Sequence, residues 1–144
     1  MPQADFYVLK GVRNPGRFTC SITNKAWSHG NRVFIIAKDQ QQAVAIDDLL
    51  WTYHDISFLP HTTIDNVDTA SPVTIGWDGS NTCDADVVIN LTDTVPDCAA
   101  DYGRVIEIIT DDPDEKNKGR QRYKVYRDMG FDLINHNIDS FQDG

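Results

Sequence analysis

The chain has 144 residues, 40% hydrophobic and 24% charged, with a formal net charge of −9 and a pI near 4.6. That length suits one domain built around one core, and the acidity excludes broad phosphate-backbone binding because most of the surface repels a nucleic acid. The apolar runs at 33–37 and 87–89 fall far below the ~20 residues of a membrane span, and the opening MPQADFYV lacks a signal peptide's basic start and apolar stretch, so a cytoplasmic location is expected. Cys20, Cys83 and Cys98 are odd in number and form no C-x-x-C pair. Reduced thiols are expected, rather than a disulfide framework or a zinc knuckle.

Residues 4–10 (ADFYVLK) carry the aromatic and β-branched side chains of a first strand, and Gly11, Asn14, Pro15 and Gly16 follow as a turn. From Arg17, Phe18, Ile22, Ala26 and Trp27 recur at helical spacing until His29-Gly30. Residues 32–37 (RVFIIA) then read as a buried strand. Asp39 caps a helix over 40–51, with Ala43, Ile46, Leu49 and Leu50 on one face. Residues 53–71 mix Pro60, Thr62, Thr63, Asn66 and several Asp into a long surface connection. Residues 73–75 and 85–91 are short strands, and 104–109 (RVIEII) is a further buried one.

Asp112 as N-cap, Pro113 at the first helical position, and Asp114 and Glu115 in the first turn open the last helix. Met129-Gly130-Phe131 ends it and leads into a strand over 131–134. Alternating strands and helices predict an α/β class, a three-layer α/β/α arrangement around a mostly parallel sheet.

The loop after the first strand, KGVRNPG, contains neither G-x-G-x-x-G nor G-x-x-x-x-G-K-[ST], so no nucleotide cofactor is expected. His29, His54, His61 and His136 do not pair at i, i+4, and no H-E-x-x-H helix is present, so no metal is expected either. Asp111, Asp112, Asp114 and Glu115 are better read as helix-capping acids than as a magnesium site. No Ser lies in G-x-S-x-G, and no Cys has a nucleophile's sequence context. A catalytic site is not expected.

Residues 116–127 (KNKGRQRYKVYR) hold six of the thirteen Lys and Arg with no acid among them, leaving seven basic against twenty-two acidic side chains elsewhere. Arg120, Tyr123, Lys124 and Arg127 stand at i, i+3, i+4 and i+7, with Lys116 one turn before, so all five share a helical stripe. Arg122, Val125, Tyr126 and Met129 form an adjacent stripe. Val125, Tyr126 and Met129 are expected to pack on the sheet, with the Arg122 stem at the boundary. Gly119 marks a kink or a close approach of another backbone. Like charges at i, i+4 and i+7 disfavour a helix unless an external counter-charge meets them. With Tyr123 among them, the stripe suits a carboxylate-bearing peptide with an apolar anchor.

In order and approximate spacing, FYVL, AWSHGNRVFIIA, DQQQAVAIDDLLW, SFLPH, PVTIGW, DVVINL and RYKVYRDMGFDL resemble the chi subunit family of bacterial DNA polymerase III holoenzyme over nearly the whole chain. The resemblance implies a Rossmann-like fold without a nucleotide. It also implies adaptor work, in which the acidic C-terminal tail of single-stranded DNA-binding protein is held and linked through the psi subunit to the clamp loader. The family's tail-binding positions fall on Lys116, Arg120, Tyr123, Lys124 and Arg127. Trp51 and Phe58 match apolar positions used towards psi or an alternative helicase. On the residues alone Trp51 fits core and contact equally, while Phe58, on a polar loop, favours contact. The connection after the first strand is shorter than the family's, and the loops at 64–70 and 79–84 follow no family pattern.

The leading expectation is therefore a non-catalytic subunit of the polymerase complex. It would capture the tail electrostatically, with the tail's apolar end near Tyr123 and Ile109. The alternatives are single-stranded nucleic-acid binding by the same stripe, with Tyr123 or Tyr126 stacking on bases, and a degenerate nucleotide-binding enzyme. DNA is expected as an indirect partner only.

Overall fold

Short β-branched runs set the sheet. The computed structural model describes residues 2–11, 15–52, 61–63, 73–77, 85–96 and 99–138. In chain order the elements are β1 (Gln3–Leu9), α1 (Pro15–Ser28), β2 (Val33–Ile36), α2 (Gln40–Thr52), β3 (His61–Thr63), β4 (Val73–Gly76), β5 (Val87–Asn90), β6 (Arg104–Ile109), α3 (Pro113–Asp128) and β7 (Asp132–Ile138). A 3-10 turn lies at Ala99–Asp101. The seven strands form one sheet in the order β3-β4-β2-β5-β6-β1-β7, and every pairing is parallel. The runs VFII and VVIN are buried throughout, as expected of strands covered on both faces.

Alternation along each strand divides the core in two. Tyr7, Leu9, Ile35, Ile75, Ile89 and Ile106 pack with α1 and α2 on one face. Ala4, Phe6, Phe34, Val88, Val105 and Ile109 pack with α3 on the other. The layers are thus α/β/α, as the sequence predicts. Asp39 Oδ1 accepts from the Gln42 N–H at 2.8 Å, and Gln42 Oε1 accepts from the Lys38 N–H at 2.8 Å, so α2 is capped from both directions.

Four expectations need correction. Residues 61–63 lie in the segment read as a surface connection, yet they form edge strand β3 against β4; three residues are too few to show a period. β7 continues to Ile138, because backbone pairing with β1 carries the edge strand through the polar NHN that breaks its apolar pattern. Trp27 falls outside the buried stripe of Phe18, Ile22 and Ala26 and is 37% exposed at the end of α1. Val125 and Met129 do not pack on the sheet: they are 45% and 43% exposed, whereas Tyr126 and Arg122 are buried.

Candidate functional site

α3 begins where the sequence places its cap. The Asp112 carboxylate accepts from the Glu115 N–H at 3.1 Å, and Pro113 occupies the first turn. The helix ends at Asp128 with Met129 as its C-cap; Gly130 follows with a φ of +89° that suits glycine, and the Phe131 N–H then donates to the Tyr126 carbonyl at 3.1 Å. The helix runs unbroken through Gly119. That residue instead lets α3 lie against β6, since a Cβ built there would come within 2.3 Å of Ile109 Cδ1.

Where α3 leaves the sheet uncovered, a groove of about 480 Å³ opens. Its floor is apolar: Phe6 and Val8 from β1 and Ile109 from β6. Lys116, Gly119, Arg120, Tyr123, Lys124 and Arg127 of α3 form one wall, and Asn135 of β7 closes the other side. The Tyr123 ring meets Phe6 edge-on at 5.2 Å, and Phe6 in turn meets Tyr126 at 5.8 Å, so the aromatic wall is anchored in the core.

The cations around the groove are little satisfied within the chain. Among the described residues Arg120 makes only a 3.4 Å contact to Asn117, and Arg127 pairs with the exposed neighbour Asp128 at 3.5 Å. Lys116 and Lys124 have no ion pair among the described residues. Four positive side chains around an apolar floor can hold a ligand that carries carboxylates and one apolar group.

On the buried side of α3 a polar network fixes the helix to the sheet. Glu107 is fully buried on β6 and accepts from Arg122 Nε at 2.9 Å, Asn90 Nδ2 at 2.7 Å and Tyr126 Oη at 2.7 Å. Arg122 Nη1 also donates to the Asp93 carbonyl at 3.3 Å. Burial pushes the Glu107 carboxyl pKa up, and the Arg122 charge with the three donors opposes that push. The Tyr126 hydroxyl is pushed up by burial and then by the Glu107 carboxylate. Among the described residues no three His, Cys, Asp or Glu side chains gather as a metal site would, and no helix is long and apolar enough to cross a membrane.

A family model described as DNA polymerase III chi subunit, HolC, matches residues 1–134. The chain belongs to the DNA polymerase III chi subunit family. Chi subunits of Pseudomonas aeruginosa, Escherichia coli and Haemophilus influenzae are 29%, 30% and 29% identical to it over 140, 141 and 139 residues. These matches span 96%, 92% and 94% of this chain, and 98%, 96% and 96% of the relatives. The resemblance read from the sequence motifs is confirmed, and it gives the chain a role in DNA replication.

In this chi-family chain, Lys116, Arg120, Tyr123, Lys124, Arg127 and Ile109 all line the one groove. Trp51 falls near the end of α2, and its side chain lies outside the described residues, as does Phe58. Sequence reasoning missed Phe6, Val8 and Asn135, which reach the groove only because the sheet order sets β6, β1 and β7 side by side. It also missed the burial of Arg122. The available signal was Glu107, a single acid inside the apolar strand RVIEII that requires a buried cation.

Proposed function

We propose that this chain is a non-catalytic adaptor of the polymerase complex whose α3 groove captures the acidic C-terminal tail of single-stranded DNA-binding protein. The observation that carries this reading is the set of four cations bordering an apolar floor in a chain of net charge −9. Carboxylates of the tail pair with Lys116, Arg120, Lys124 and Arg127. The tail's apolar end seats on Ile109 and Phe6 beside Tyr123. In the same reading the psi subunit, or an alternative helicase, docks through Trp51 and Phe58 and links the captured tail to the clamp loader.

Calorimetric titration with the last ten residues of the cognate single-stranded DNA-binding protein tests this. Arg120→Ala is expected to weaken binding by about 2 kcal/mol, roughly 30-fold, because a guanidinium covered by the peptide is a charge-assisted partner rather than a solvated one. Rising salt is expected to weaken the wild-type complex. Deleting the residue at the peptide's apolar end is expected to abolish detectable binding, since the floor then has no ligand. An affinity that Arg120→Ala leaves unchanged sinks the assignment of the groove. Tight, saturable binding of a single-stranded oligonucleotide without the partner protein supports the nucleic-acid reading instead.

A further inference from the structure

A second cavity of about 450 Å³ opens at the C-terminal end of β1, lined by Val8, Leu9, Lys10, Asp111, Lys116 and Asn137. Val8 and Lys116 also border the main groove, so the two cavities adjoin. Their relation follows from register. Phe6 pairs with Asn135 and Val8 with Asn137, so the second cavity continues the first by two residues along the sheet, about 7 Å.

Alternation gives Lys10 the same face as Phe6 and Val8, towards α3. Its N–H donates to the Ile138 carbonyl at 2.8 Å, which fixes its backbone at the rim, and its exposed ammonium has no ion pair among the described residues. The acid in this lining is Asp111, whose carboxylate accepts from the Gly11 N–H at 3.2 Å. Lys10 and Lys116 together outweigh it.

We propose that this extension is a second subsite for the same acidic peptide, a proposal that rests on the peptide-binding reading above. Carboxylates beyond the six terminal residues that fill the main groove meet Lys10 together with Lys116, while Asn135 and Asn137 offer amides to the peptide backbone. Lys10 thereby makes the site select for the length of the acidic run, not only for its end. The shared wall and the continuous register make one extended peptide the occupant that fits both cavities.

The test uses three synthetic peptides: the last six residues of the tail, the same peptide extended by three Asp, and the same peptide extended by three Asn. At low salt the Asp extension is expected to bind about 3- to 10-fold tighter than the Asn extension, the size of one or two partly exposed ion pairs. Lys10→Glu is expected to remove that gain and leave the six-residue peptide's affinity unchanged. Lys25→Glu makes the same charge change on α1, across the sheet, and is expected to preserve the gain. Equal binding of the two extensions overturns the subsite, as does a gain that Lys25→Glu removes as fully as Lys10→Glu; in both cases the main groove stands. Failure of the six-residue peptide to bind the wild type overturns the peptide reading itself, and the subsite with it.

Discussion

Arg122 lies two positions from both Arg120 and Lys124, and on a helix that offset turns it away from the groove. It belongs to the basic run in sequence and to the core in space, 4% exposed against a fully buried Glu107. The two are bound by opposite needs. A carboxylate in that position needs a charge and several donors to remain ionised, and a guanidinium there needs an acceptor that water no longer provides. Arg122→Ala is therefore expected to destabilise the fold by about 3–5 kcal/mol in denaturant titrations, because it leaves Glu107 buried without its counter-charge. Replacing both residues by Met is expected to recover most of that loss. A double variant no more stable than Arg122→Ala would show that the pair does more than balance charge.

α3 illustrates how one element answers to two surfaces. Its buried side is centred on Gly119, Arg122 and Tyr126, and its groove side on Lys116, Arg120, Tyr123 and Arg127. Gly119 sits where the two meet, against Ile109, so its missing Cβ helps to set the groove's depth. Gly119→Ala gains about 1 kcal/mol of helix propensity and loses a similar amount to overpacking, so thermal stability is expected to shift little. Ile109 is expected to turn into the groove and weaken peptide binding, and adding Ile109→Val is expected to restore it. Peptide affinity unchanged by Gly119→Ala would show that the peptide does not seat on Ile109.

What was legible at this scale followed from local rules. Caps, periods and like-charge spacing located α3 and its basic stripe without reference to the rest of the chain. The orientation of the apolar side was not legible, because Val125 and Met129 outrank Arg122 on any hydropathy pattern and only Glu107, 2.9 Å away in space but fifteen positions away in sequence, reverses that ranking. β3 and the end of β7 were hidden for a related reason. Both are edge strands, held by backbone pairing rather than by an apolar alternation.

Across the whole molecule, burial acts on proton-bearing groups in both core layers. The Cys20 thiol, fully buried on α1, is pushed up to about 12 by burial. Burial also raises the hydroxyls of Tyr7 and Tyr126, one on each face of the sheet. Each group has a higher pKa folded than unfolded, so in the interval between the two values the native chain holds more protons than the unfolded one. Stability must then fall as pH rises. The loss begins near pH 9, the ordinary thiol value, with a slope approaching about 1.4 kcal/mol per pH unit from Cys20 alone, and it steepens above pH 10 as the tyrosines join. Denaturant midpoints measured from pH 7 to pH 10.5 are expected to stay level to about pH 8.5 and then decline. Cys20→Ala is expected to flatten the stretch between pH 9 and 10 while leaving the steeper decline above it, because the alanine cannot ionise in either state. A wild-type curve and a Cys20→Ala curve that run parallel through pH 9–10 would mean that the thiol ionises alike in the folded and unfolded chains, and the decline would then belong to the tyrosines.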